Sequence, residues 1–152
     1  MFVYRIGRTK YAGDLDGEGA RLHGGRWNKK GDACIYTSDS RALALLEYTV
    51  NVNIDDIPRA LSITTYEIDE TEIQTLAIAD LPGDWMDTPA PSSTQAFGSS
   101  LLIKAAKPII RYPSALLREE FNYILNPKLQ SLGHFRFVRA QDYSYDVRIK
   151  LK

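Results

Sequence analysis

The sequence predicts an α+β domain, with a compact mixed or antiparallel sheet as its core and a few helices packed on it. Short segments rich in β-branched and aromatic residues recur at Phe2–Ile6, Ala33–Thr37, Arg59–Ile68, Ile109–Tyr112 and Phe135–Ala140, which is the pattern of strands. Helical periodicity of useful length appears after Ser40 and again after Ser93. No repeat, low-complexity tract or linker divides the 152 residues, so residues 1–152 read as one domain with one real core.

In the first strand Phe2, Tyr4 and Ile6 share one face, and Val3 and Arg5 share the other. Arg5 thus points away from three large apolar groups, and its plain reading is a solvated arginine on an edge strand. Gly7 to Asp32 is loop-like and holds Gly13, Gly17, Gly19, Gly24, Gly25 and Gly31. Loops of this length in a compact domain are functional or disordered. Trp27, which should bury, and the Gly24–Gly25 pair, suited to tight backbone geometry, both argue for order. Ala33–Thr37 is a short strand with Cys34 and Tyr36 on one face.

Ser38 or Asp39 is positioned to cap a helix from about Ser40 to Val50. Ala42, Leu43, Leu45, Leu46, Thr49 and Val50 form its apolar stripe, with Arg41, Ala44 and Tyr48 opposite. Glu47 falls at the stripe's margin, where a carboxylate either pairs with a nearby cation or serves a site. Ile73–Ile78 reads as a shorter strand. Leu81–Trp85 opens a second long loop, and Ser92 or Ser93 caps a helix to about Ala106, weakened but not ended by Gly98. After Ile109–Tyr112, Pro113-Ser114-Ala115 is a turn and Asn122–Leu125 is extended. Asn126-Pro127 places an N-cap before a proline at the first helical position. Tyr145–Leu151 alternates weakly and is predicted to close a sheet edge.

Composition excludes several classes. Nineteen basic and nineteen acidic residues cancel, so no global field holds a nucleic-acid backbone, and direct nucleic-acid binding is not expected. The single cysteine, Cys34, cannot support a disulfide framework and fits a reducing compartment. The N-terminus lacks the regions of a signal peptide, and no apolar run approaches the ~18 residues of a membrane helix. A cytoplasmic protein without membrane contact is the expectation. Two histidines, His23 and His134, and one cysteine make no clustered zinc site, so no metal is expected. Walker, dinucleotide-fold and nucleophile-elbow motifs are missing.

What remains is arginine, tyrosine, glutamate and serine, a set without a strong nucleophile. It suits a reaction in which a bound group departs once a cation is stabilised. Cleavage of the bond between ribose and a positively charged nicotinamide is of that kind, since the leaving group departs neutral and an oxocarbenium-like ribose remains. A glutamate offsets that charge, arginines clamp pyrophosphate bidentately, and a tyrosine stacks on the nicotinamide ring. The Gly-rich segment, with no familiar catalytic set, also allows a non-enzymatic module that binds a nucleotide or a protein.

Several blocks together resemble the RES domain family, named for an Arg, a Glu and a Ser. They are Tyr4-Arg5, Gly24-Gly25-Arg26-Trp27-Asn28, Ile35-Tyr36, the helix bearing Glu47, Ser93-Thr94-Gln95-Ala96-Phe97-Gly98, Pro113-Ser114-Ala115 and Asn122-Tyr123-Ile124-Leu125-Asn126-Pro127. The resemblance implies a fold similar to ADP-ribosyltransferases and the role of toxin in a bacterial toxin–antitoxin pair. It implies NAD as substrate, consumed by hydrolysis or phosphorolysis, or used to transfer ADP-ribose to a protein. It further implies a helix-turn-helix antitoxin of the Xre type, held in a hetero-oligomer with the toxin. By position Arg5, Arg26, Tyr36 and Glu47 match the family's NAD site. Ser114 is the first choice for the family serine and Ser93 the second, the latter being equally a helix cap. Asn122 contacts nucleotide or satisfies a turn.

Overall fold

The computed structural model describes residues 1–150. Seven strands, β1 (Phe2–Arg8), β2 (Ile35–Ser38), β3 (Leu61–Ile68), β4 (Ile73–Thr75), β5 (Ile109–Pro113), β6 (Phe121–Leu125) and β7 (Phe135–Tyr143), form one sheet in the order β4-β5-β6-β2-β1-β3-β7. Only β4 and β5 run parallel; the other neighbours are antiparallel. Three α-helices are inserted, α1 (Glu18–His23), α2 (Arg41–Asn51) and α3 (Ser92–Lys104), with short 3-10 turns between elements. The architecture is α+β with a mixed, mainly antiparallel sheet.

Several local expectations change on folding. β1 is not an edge strand. It pairs with β3 from Phe2↔Glu67 to Arg8↔Leu61 and touches β2 at the single position Tyr4↔Ser38. The Gly7–Asp32 loop contains α1, entered from Gly17 at φ 67 and left through Gly24 at φ 72, backbone conformations open to glycine. The cap of α2 is Ser40, whose Oγ accepts from Leu43 N at 3.0 Å; neither Ser38 nor Asp39 serves. At α3 Pro91 precedes the first turn without a side-chain cap, and Ser93 lies inside the helix. Of the predicted strand Tyr145–Leu151, the described residues 145–150 add none to the sheet. The Asp146 carboxylate accepts from Arg148 N at 3.0 Å and bends the chain into a 3-10 turn over Val147–Ile149; Leu151 lies outside the described residues.

The buried face of α2 is also rotated from the apolar stripe. Leu43, Ala44 and Thr49 are buried, whereas Ala42 and Val50 are exposed. A small residue at 44 lets the helix approach the sheet, and the same rotation turns Glu47 inward.

Residues opposite one another on paired strands share a sheet face. Thr65, Tyr4, Ser38, Asn122 and Tyr112 therefore form one row across five strands. On that face Arg41 of α2 lies over the Tyr4 ring, 4.2 Å from its centroid, and a core of Trp27, Cys34, Trp85, Leu102, Ile110, Tyr112 and Ile124 packs beneath α3. The opposite face carries the second core, including Val3, Ile35, Tyr66, Ile109 and Leu125, with Leu15 packed against it.

Trp27 joins the glycine-rich segment to this frame. Its ring stacks on Tyr112 at 4.3 Å and on Trp85 at 6.1 Å, with Phe97 edge-on at 6.2 Å. Its backbone presses on α3 at Gly98, where an added Cβ would stand 2.0 Å from the Trp27 carbonyl oxygen. In an unobstructed helix Gly→Ala stabilises by roughly 1 kcal/mol. Here the obstacle is backbone, so Gly98→Ala is expected to lower the free energy of unfolding in urea, by roughly 1–3 kcal/mol. Equal or greater stability would show that α3 does not rest on Trp27.

Candidate active site

Glu47, on the second turn of α2, reaches the polar row. Its Oε1 accepts from Ser114 Oγ at 2.8 Å and from Asn122 Nδ2 at 2.6 Å. Ser114 sits in the turn after β5, fully buried, and its Oγ also accepts from Leu116 N at 3.1 Å and Leu117 N at 3.3 Å. That pair of backbone donors fixes the hydroxyl so that its own proton faces Glu47. Asn122 Oδ1 accepts from Ser38 Oγ at 2.6 Å. Helix, turn and strand β6 thus converge on one carboxylate oxygen, with β2 behind Asn122. Oε2 makes none of these bonds.

Tyr36 precedes Ser38 by two residues on β2 and shares its face, about 6.6 Å along the strand. Its hydroxyl accepts from Trp27 N at 2.9 Å and donates to Asn28 Oδ1 at 2.7 Å. Gly25 lies so close that a Cβ there would stand 2.7 Å from the same oxygen. Asn28, fully buried, turns its Nδ2 to the carbonyls of Ala20, Lys29 and Asp32. The phenol is therefore the post on which the Gly25–Asn28 turn is mounted. Burial pushes the Tyr36 hydroxyl well above its ordinary range, with Cys34 beside it adding to the shift, so it acts as a neutral donor.

Arg26 fastens the second long loop to this turn. Its Nη1 donates to the carbonyls of Trp85 at 2.7 Å and Asp87 at 2.8 Å. Ser93 Oγ donates to both Asp84 oxygens, at 2.9 and 2.7 Å, tying the same loop to α3. Arg5 goes elsewhere. Strand alternation turns it to the far face, where its Nη1 lies 4.0 Å from Asp14 Oδ2. Of the residues singled out in the sequence, the structure joins Glu47, Ser114 and Asn122 by direct hydrogen bonds. It places Tyr36 and Arg26 at the adjoining glycine turn, and it does not bring Arg5 or Ser93 to the carboxylate.

Two members of the row were not legible as site residues. Ser38 looked like a helix cap, and Tyr4 like core; their alignment with Asn122 depends on strand register, which local pattern does not reveal. At either end of the row, the buried hydroxyls of Thr65 and Tyr112 have no hydrogen-bond partner among the described residues. The surface hollows at Glu67–Asp69 with Gly133–Arg136, and at Arg8, Lys10, Pro58 and Ala60, share no residue with this group.

Compared with known proteins, residues 2–147 match the family model described as RES domain. The chain belongs to the RES domain family. It is 34% identical over 152 residues to a protein of Yersinia enterocolitica named Toxin Res, covering 99% of this chain and 100% of that protein. A Toxin Res of Photorhabdus laumondii is likewise 34% identical, over 98% and 97% of the two chains. A Sphingobium protein named Prs ADP-ribosylating toxin is 32% identical over 93% of this RES chain and 90% of its own length. Among solved structures, the Mycobacterium tuberculosis MbcT–MbcA toxin–antitoxin complex contains a chain of the same fold. That chain superposes with a TM-score of 0.76 at 20% identity, over 94% of this chain and 84% of that one.

Cys34 reports on the integrity of the core beneath the site. Burial pushes its thiol from 9.0 up to about 12, outweighing the lowering effects of the Tyr36 hydrogen bond and the Arg5 charge. A thiol that keeps its proton when folded but loses it when unfolded makes stability fall as pH rises. The fall begins near 9.0 and continues through about 12. Iodoacetamide at pH 9 is accordingly expected to label the native RES chain far more slowly than the urea-unfolded chain. Equal labelling rates would contradict the buried placement.

Proposed function

We propose that this RES chain is the toxin of a toxin–antitoxin pair and that it cleaves the nicotinamide–ribose bond of NAD, by hydrolysis or phosphorolysis. The observation that carries the reading is the Glu47 carboxylate, pinned by Ser114 and Asn122 on Oε1 alone, and we assign Oε2 to the substrate. In the step proposed, the C1′–N bond breaks and both electrons leave with nicotinamide, which becomes neutral. The ribosyl cation left behind is offset by Glu47. Water then adds at C1′ and gives up a proton, or phosphate adds directly. Because nicotinamide leaves uncharged, no acid is required of this site, which fits hydroxyls that stay neutral.

Tyr36 offers a ring rather than a reactive hydroxyl, since the hydroxyl holds the Gly25–Asn28 turn; stacking on nicotinamide is the role left to it. Arg26 keeps guanidinium donors beyond the Nη1 that binds Trp85 and Asp87, and we assign these to the pyrophosphate. Arg5 and Ser93 enter the reading on the family resemblance, as their side chains are engaged elsewhere.

A second reading shares the same first bond cleavage and ends in transfer of ADP-ribose to a protein. It is favoured by the Sphingobium relative, named as an ADP-ribosylating toxin, at 32% identity over 93% of this chain. For the partner, we propose an Xre-type helix-turn-helix antitoxin that covers the site. The support is that a chain of this fold was solved within a toxin–antitoxin complex. The cytoplasm, where NAD is abundant, is the proposed compartment; among the described residues no helix is long and apolar enough to cross a membrane.

Purified protein incubated with NAD is expected to release nicotinamide, leaving ADP-ribose, or its phosphate when phosphate is present. Added cell lysate separates the two readings, because a labelled protein band from labelled NAD supports transfer and its absence supports depletion. Expression in cells should lower NAD and arrest growth, and the antitoxin encoded beside it should restore both. No nicotinamide release from folded protein, with or without lysate, would refute the enzymatic reading.

A further inference from the structure

We infer that Ser38 is a positioning residue for Glu47 and that it acts wholly through Asn122. The inference deepens the NAD-cleavage reading and rests on it for its kinetic consequences. Ser38 ends β2 and is only 4% exposed, too deep to meet a substrate from solution. Its Oγ donates to Asn122 Oδ1 at 2.6 Å, and Asn122 Nδ2 donates to Glu47 Oε1 at 2.6 Å. The cross-strand register Ser38↔Asn122 sets the first of these bonds, so the relay is built into the sheet.

The chemistry of an amide explains why Ser38 matters. The two ends of a carboxamide are alike in shape and opposite in hydrogen bonding, one accepting and the other donating. A hydroxyl donor at Ser38 selects the orientation in which oxygen faces Ser38 and the NH2 group faces Glu47. Without that donor Asn122 Oδ1 loses its partner, and the amide shifts or turns away from Glu47 to find another. Ser114 does not depend on this choice, since its hydroxyl is oriented by Leu116 N and Leu117 N. One of the two donors on Oε1 is thus set by backbone, and the other by a buried serine two bonds away.

Asn122→Ala is expected to lower kcat for nicotinamide release roughly 10²-fold, the scale of an ~1 Å misplacement of a reacting group. Ser38→Ala should lower kcat roughly tenfold by the same displacement, made partial by the remaining Ser114 donor. KM should hold within about twofold in both, because the groups assigned to pyrophosphate are untouched. Ser38→Thr keeps the hydroxyl and should restore turnover. The decisive comparison is Ser38→Ala within Asn122→Ala, where no further loss is expected if Ser38 acts only through the amide.

An activity-independent arm follows the side-chain NH2 signals of Asn122 by NMR. Of the two distinct resonances in the parent protein, the one shifted by its bond to Glu47 should move or broaden in Ser38→Ala and keep its position in Ser38→Thr. Should the parent protein release no nicotinamide, the NAD reading fails while this arm still decides the relay. Unmoved Asn122 signals in folded Ser38→Ala would overturn the inference, as would unchanged kcat or an equal further loss in the Asn122→Ala background.

Discussion

The stack of the Trp27 indole on Tyr112, at 4.3 Å with 20° between the rings, is the contact through which the loops of this RES chain become part of a rigid body. On one side of it lies the glycine-rich segment, which has few apolar groups of its own. On the other lie β5, α3 and the loop carrying Trp85. Burying a large aromatic side chain and pairing it with another ring contributes a few kcal/mol, enough to order a segment that would otherwise stay mobile. The Trp27 backbone is used as fully as its ring. Its N–H meets Tyr36 Oη at 2.9 Å, and its carbonyl occupies the space left by the missing side chain of Gly98.

From that anchor the arrangement around Glu47 follows. With the Gly25–Asn28 turn seated on Tyr36, the top of β2 is fixed, and Ser38 at its end meets Asn122 on β6. A short connection through the cap at Ser40 then leads directly into α2, so the helix has little freedom in where it lands. The inward rotation that buries Ala44 brings Glu47 onto the row of polar side chains. A half-buried carboxylate gains from donors, and Ser114 and Asn122 supply them on one oxygen only. An asymmetrically held carboxylate of this kind is oriented before substrate arrives, which is what electrostatic stabilisation of a developing cation requires.

The sequence carried the fold class and most element positions, because strand alternation and helical period are local properties. It also carried Glu47 as a boundary residue, whereas Ser114 stands out only through the family resemblance. It did not carry β1 as an inner strand, since pairing partners are chosen by contacts far apart in the chain. Residues 145–150 depart from the expected strand for a local reason, an Asx turn at Asp146 that outweighs weak alternation. Ser38 and Ser93 are each one of two cap candidates in the sequence, and neither caps a helix. Serine favours caps and turns, yet here Ser40 and Pro91 occupy those positions, and the two hydroxyls serve Asn122 and Asp84 instead. Arg5 illustrates the reverse problem. Its neighbour Tyr4 lies in the polar row, and a shift of one residue along a strand moves a side chain to the opposite face.

The proposed NAD cleavage turns on whether the Glu47 carboxylate, rather than its bulk, gives the site its function. Glu47→Gln keeps size and the possibility of hydrogen bonding to Ser114 while removing the charge. The direct measurement is nicotinamide release at saturating NAD by wild type and Glu47→Gln, with the thermal midpoint of each recorded on the same preparation. The account predicts a loss of turnover of about 10²–10³-fold with NAD still bound. Turnover retained in a folded Glu47→Gln protein would contradict it.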